Sequence, residues 1–204
     1  MEVEGTLNFG KERNTMALAL DSKTTALVLI DLQHGILGMP VQPYSADAVV
    51  KVSSKMAKAF REKDAKVVYV RVDLNNLMPL IVDRSRMDPN AGPFPAIASE
   101  LVPAAGFQES DLLITKRHWS AFGQTEMEDA LKKMGVTTIV LGGVATNFGV
   151  ESTARHAVAV GFQVVIAEDA CSTLETDAHT FAMEKIFPMI GRVGSSQEII
   201  DALA

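Results

Sequence analysis

Thiols are nearly absent from this chain. Cys171 is the one cysteine in 204 residues, which excludes an intrachain disulfide and fits a reducing compartment. Basic charge is not in excess: 19 Lys and Arg stand against 25 Asp and Glu, a formal net charge of -6. That balance argues against nucleic acid or an anionic membrane as the main partner. No apolar run approaches the ~18 residues of a membrane span. The opening MEVEGTLNFGKERNT lacks the basic and apolar stretches of a signal peptide, so a cytoplasmic location is expected. Only four histidines occur, and no HxxxH pair is among them, so His118, His156 and His179 form no metal-binding pattern. GGVATNFG lacks the GxGxxG spacing, and no Gly-Lys-Ser/Thr follows it, which speaks against a nucleotide site. No metal or other cofactor is therefore expected.

What the chain does have is a buried-core composition, 48% hydrophobic, and a regular alternation of strand-like and helix-like segments. The most telling stretch is residues 137–157, TTIVLGGVATNFGVESTARHA. A β-branched apolar run ends at Gly142 and Gly143, and Phe148, Val150, Thr153, Ala154 and Ala157 then recur near helical spacing. A strand turning straight into a helix aims free N–H groups at the carboxyl edge of a sheet, where open α/β folds bind ligands.

Similar strand-like runs occur at 26–30, 66–72, 111–115, 162–169 and, briefly, 191–193. Helical patterns cover 46–62, with Ser45 as N-cap, 125–134, with Thr125 capping, about 146–160, 175–187, and the end of the chain from Ser196. Continuous Val/Ile/Leu strands alternating with helices predict an α/β fold, a doubly wound parallel sheet of six strands between two helical layers. One domain over residues 21–204 is expected, preceded by an arm at 1–20 that packs on a partner subunit. Residues 73–106 hold Pro79, Pro89, Pro93, Pro95 and Pro103 and read as a long binding loop or lid.

Two charged residues fall at strand ends. Asp31 follows the first strand in ALVLIDLQ, and Lys116 the third in LLITKRHWSAF. A carboxylate there either caps a turn or does chemistry, because burying it unpaired is costly. Both residues converge on the crevice beside the glycine turn, and that favours chemistry. Cys171 reads as a small buried residue rather than a nucleophile. Arg71, Arg84 and Arg86 read as solvated charge that could also pair with a carboxylate substrate.

VLIDLQ, TKRHWSAF, VLGGVATNFGVESTARHA and EDACST with a histidine downstream, in this order and spacing, resemble the isochorismatase-like hydrolase family from about residue 24 to the C-terminus. The resemblance implies a six-stranded parallel α/β sheet and a catalytic set of Asp, Lys and Cys. Asp31 and Lys116 match the first two. It also implies a cis peptide before Ala145 and an oxyanion hole from the main chain around Ala145 and Gly149. The chain departs from the pattern at the third catalytic position. Gly149 stands where the thiol enzymes carry their nucleophile, which removes covalent catalysis there. Two groups in the family carry Gly there. One is the enzymes that cleave a vinyl ether by acid catalysis, whose substrate-loop text is not recognisable in residues 73–106. The other is a set of poorly characterised hydrolases with the same VESTAR and EDACS text, which this chain resembles more closely.

The expected function is thus hydrolysis of a small molecule by Asp31 as general acid/base with Lys116 as its electrostatic partner. Either a vinyl ether or an amide or ester bond would be cleaved. Gln33, Trp119, Phe122, Thr146 and Asn147 are the candidate substrate contacts, with core filling an equal alternative for the rings of Trp119 and Phe122. A homologue that binds without turning over is the alternative. The family's habit of oligomerising implies a homo-oligomer, a dimer or larger.

Overall fold

Each apolar run of the sequence becomes a strand of one parallel sheet. The computed structural model describes residues 16–85, 88 and 90–204. Its strands are β1 (Thr25–Ile30), β2 (Lys66–Val72), β3 (Leu112–Lys116), β4 (Thr138–Val144), β5 (Gln163–Ser172) and β6 (Arg192–Gly194), in the order β3-β2-β1-β4-β5-β6. Every neighbouring pair is parallel. Chain order runs outward in one direction from β1 to β3 and in the other from β4 to β6. The crevice of such a doubly wound sheet lies between the carboxyl ends of β1 and β4.

The helices are α1 (His34–Leu37), α2 (Ala46–Glu62), α3 (Met127–Lys133), α4 (Glu151–Ala159), α5 (Thr176–Phe181), α6 (Phe187–Ile190) and α7 (Ser196–Ala202). Successive side chains of a strand face opposite sides, and β1 shows the consequence directly. Ala26, Val28 and Ile30 join Leu131, Ala154 and Ala157 in one buried cluster. Leu27 and Leu29 join Val49, Met56 and Phe60 of α2 and Ile199 of α7 in the other. All six β1 residues are buried, so the strand shows no polar alternation. Ser45 caps α2 as expected, its hydroxyl accepting from Ala48 N at 3.2 Å.

Several boundaries differ from the sequence reading. The expected helix at 146–160 opens with a π-helical turn, Thr146–Val150, before α4. The expected helix at 175–187 is α5, a second π turn at Ala182–Ile186, and α6. α3 begins at Met127, and Thr125 accepts weakly from Met127 N at 3.3 Å while donating to the Ala121 carbonyl. β5 extends beyond residue 169 because it bulges: Leu141 pairs with Ile166, but Gly143 already pairs with Cys171. Glu168 and Asp169 lie in that bulge, outside the ladder.

The 73–106 segment is tied down at both ends. Asp73 N and Met78 N donate to the carbonyls of Lys116 and Arg117. Farther along, Val102 N donates to Leu32 O and His34 N to Glu100 O. Of the proposed N-terminal arm, residues 1–15 lie outside the described residues, as does Arg86. The described part of the arm binds its own chain: Leu20 exchanges main-chain bonds with Ala202 and Ala204. No helix among the described residues is long and apolar enough to cross a membrane.

Candidate active site

At the end of β1 the chain turns at Asp31, whose φ of 54° is left-handed, a conformation Asp tolerates better than most residues. Its amide still donates to Val70 O at 2.8 Å, so the residue is held against β2. Lys116, the last residue of β3, sits two strands away, roughly 10 Å between strand axes, and reaches back across the end of β2. The Lys116 ammonium lies 2.7 Å from Asp31 Oδ2, and the two side chains are only 2% and 8% exposed. The ammonium also donates to the Trp119 carbonyl at 2.9 Å. Asp31 Oδ1 is buried without a hydrogen-bond partner. Burial pushes the Asp31 carboxyl above its ordinary value, and the Lys116 charge and hydrogen bond pull it back only partly. The result is a buried carboxyl readier than most to hold a proton, with one oxygen unsatisfied.

The floor of the crevice is the β4–α4 turn. Gly143 approaches β1 so closely, at φ 119°, that a Cβ there would meet Ile30 O at 2.1 Å, and only glycine fits. The Val144–Ala145 peptide is cis. The amides of Phe148 and Val150 donate to the Ala145 carbonyl at 3.1 and 3.2 Å. The Gly149 carbonyl accepts from Thr153 Oγ1 at 2.7 Å, which in turn accepts from Ala121 N. A Cβ on Gly149 would lie 3.1 Å from Lys116 Nζ and 3.4 Å from Asp31 Oδ2. Gly149 therefore packs directly against the charged pair, with little room for a side chain.

The isochorismatase domain model matches residues 25–198. The chain belongs to the isochorismatase family. It is similar to the uncharacterized isochorismatase family protein YecD of Escherichia coli O157:H7, 43% identical over 91% of this chain and all of that one. A solved isochorismatase family protein of Burkholderia thailandensis superposes with a TM-score of 0.84 at 38% identity, covering 92% of this chain and 98% of that one. The ureidoacrylate amidohydrolase RutB of Pantoea ananatis is 27% identical over 96% of this chain and 90% of that protein. The protein is an isochorismatase-family hydrolase.

Within this hydrolase the remaining candidates separate. Thr146 is buried and Asn147 half-buried, both on the turn, and Asn147 Oδ1 accepts from Thr173 Oγ1 at 2.5 Å. Trp119 is 47% exposed and its ring lies 4.9 Å from that of Phe148. Two residues expected at the substrate are placed elsewhere. Gln33 is fully buried, its amide donating to Val72 O and Ala98 O and accepting from Val72 N. All these amide bonds go to main chain, which makes Gln33 a brace between the end of β1 and its neighbours. Phe122 is 5% exposed and packs against the rings of His156 and Phe162, as part of the core.

Cys171 is fully buried on β5, and burial pushes its thiol well above the ordinary range. Arg71 pairs with Glu100 and bonds Thr115. Arg84 is exposed. Among the described residues no group of His, Cys, Asp and Glu is arranged to hold a metal. A cavity of about 480 Å³ lies off the crevice, lined by Glu168, His179, Glu184 and Glu198 among others; it does not contain Asp31 or Lys116. His179, on its wall, bonds Thr146 of the turn. The sequence marks His179 as the histidine downstream of EDACST and weighs it as a metal ligand, but its place eleven residues beyond Glu168 carries no signal of that contact.

Proposed function

We propose that this hydrolase cleaves a small molecule without a cysteine nucleophile, using Asp31 as the proton carrier and Lys116 as its electrostatic partner. One observation carries the reading. Asp31 keeps one oxygen, Oδ2, on Lys116 and next to Gly149, and the other, Oδ1, buried and unpartnered. A buried, unsatisfied carboxyl oxygen costs stability, and a substrate proton donor or acceptor placed there would relieve it.

The raised carboxyl supports the acid form. Protonated Asp31 would deliver its proton to the terminal enol carbon of a vinyl ether. Water then adds to the resulting oxocarbenium ion, the hemiketal collapses to ketone and alcohol, and Asp31 recovers a proton from that water. Lys116 would stabilise the carboxylate left behind. The likeness to an amidohydrolase supports a second reaction at the same site. There, ionised Asp31 would activate water against an amide or ester carbonyl, and the oxyanion would fall to main-chain N–H groups such as those of Ala145 and Gly149. General acid–base help contributes about 10²–10⁴-fold and a well-placed oxyanion donor about 10²–10³-fold, so turnover needs no covalent step. Trp119, with Phe148 beside it, would cover a planar substrate.

A panel assay separates the two reactions: pyruvate release from isochorismate against ammonia release from small amides. Turnover of either kind supports a hydrolytic crevice. Silence across the panel, with ligands still bound, would make the protein a binding homologue.

A further inference from the structure

His179 lies on α5 and is 3% exposed, yet both ring nitrogens are engaged. Nδ1 is 2.9 Å from Thr146 Oγ1 and Nε2 is 3.4 Å from Glu168 Oε1. Glu168 also accepts from the Tyr44 hydroxyl at 2.8 Å, and the Tyr44 ring meets the imidazole edge-on, with centroids 6.0 Å apart. A carboxylate can only accept. In the neutral ring Nε2 therefore carries the proton, Nδ1 is left as an acceptor, and Thr146 must donate to it. Thr146 opens the turn that contains Gly149, and it is fully buried.

We propose that His179 is a positioning residue for this turn: through Nδ1 it fixes the Thr146 hydroxyl and so sets where the 145–149 main chain stands against Asp31 and Lys116. What the turn does for the reaction rests on the hydrolytic reading above; that His179 holds it does not. A protonated ring would carry a hydrogen on Nδ1 and could no longer accept, so the Thr146 hydroxyl would have to rotate away. Burial lowers the imidazole from its ordinary 6.5, with Glu168 opposing, and the neutral holding form prevails at neutral pH. The groups facing the ring are Glu168 from β5 and the Tyr44 phenol from the segment before α2, with Glu184 and Glu198 on the same cavity. Asp169, next to Glu168, bonds Ser196.

The test uses three variants of the full chain. His179→Leu keeps bulk without an acceptor, His179→Asn restores an acceptor oxygen near the place of Nδ1, and Thr146→Val removes the donor. Long-range ¹H–¹⁵N spectra of the imidazole should show the Nε2–H tautomer in the wild type and a displaced Nδ1 resonance in Thr146→Val. Main-chain amide shifts of residues 145–149 should move in His179→Leu and largely return in His179→Asn. With a substrate found in the panel, kcat should fall about 10²-fold in His179→Leu at little change in KM, the loss that a shift of ~1 Å in catalytic geometry brings. His179→Asn should recover most of it.

An Nδ1–H tautomer, or turn amides unmoved in His179→Leu, overturns the proposal. If His179→Leu does not fold, the wild-type tautomer and Thr146→Val decide it. The spectra need no turnover. A protein inactive on every substrate but with these shifts would sink the hydrolytic reading and leave the hold of His179 on the turn standing.

Discussion

Lys116→Met keeps most of the unbranched side chain and deletes its charge, and its effect should depend on pH in a defined direction. At 2.7 Å two unit charges attract by about 6 kcal/mol at an effective dielectric of ~20. Desolvation of both groups offsets much of this, and removing one partner of a buried pair typically costs about 3–5 kcal/mol. Burial already raises the Asp31 carboxyl, and Lys116 is what restrains it. Without the lysine the carboxyl rises further and takes up a proton instead of remaining a bare charge. A carboxyl whose folded pKa lies above its unfolded one holds its proton better when folded. Its penalty is therefore absent below the ordinary value of 3.8 and grows as pH climbs from there toward the folded pKa.

Urea unfolding should thus find Lys116→Met only slightly weaker than wild type near about pH 5 and about 3 kcal/mol weaker near about pH 8. Adding Asp31→Asn removes the titrating group, and the double variant should regain most of the loss and flatten the pH dependence. An equal loss at both pH values, or no relief from the asparagine, would refute the coupling of these two groups.

Gln33→Leu should cost about 3 kcal/mol in urea unfolding, because Val72 N, Val72 O and Ala98 O lose their side-chain partner; a neutral result would remove Gln33 as a brace. Gly149→Ala places a methyl 3.1 Å from Lys116 Nζ and 3.0 Å from Ile30 Cγ2. It should fold but lose at least about tenfold in kcat, since the methyl crowds the Lys116–Asp31 pair and shifts its geometry. Cys171→Ser should keep kcat within about threefold, because a thiol this buried is inert. A larger loss, with the fold intact, would bring the thiol back into the mechanism.

The sheet was legible because its strands are buried on both faces and so read as unbroken Val, Ile and Leu. Asp31 and Lys116 could be found for a related reason: polar residues at the carboxyl ends of such runs stand out. What the sequence hid was produced by long-range contacts. The two π turns have helical spacing at both flanks, and one extra residue in a turn leaves little trace in periodicity. The β5 bulge at Glu168 falls where the β4 register passes from Leu141 to Gly143, a pairing that local propensity does not carry. Gln33 and Phe122 looked like cleft residues by proximity in sequence, but Gln33 turns to main chain 39 and 65 residues away and Phe122 packs into the core on His156 and Phe162. His179 reaches Thr146 across 33 residues, beyond any local pattern.

The most direct measurement is the kcat of Asp31→Asn on a substrate turned over by the wild type, with the unfolding midpoint recorded alongside. Loss of at least about 10²–10⁴-fold in a folded protein is the expected result. Turnover within about threefold of wild type would contradict a role for Asp31 as the proton carrier.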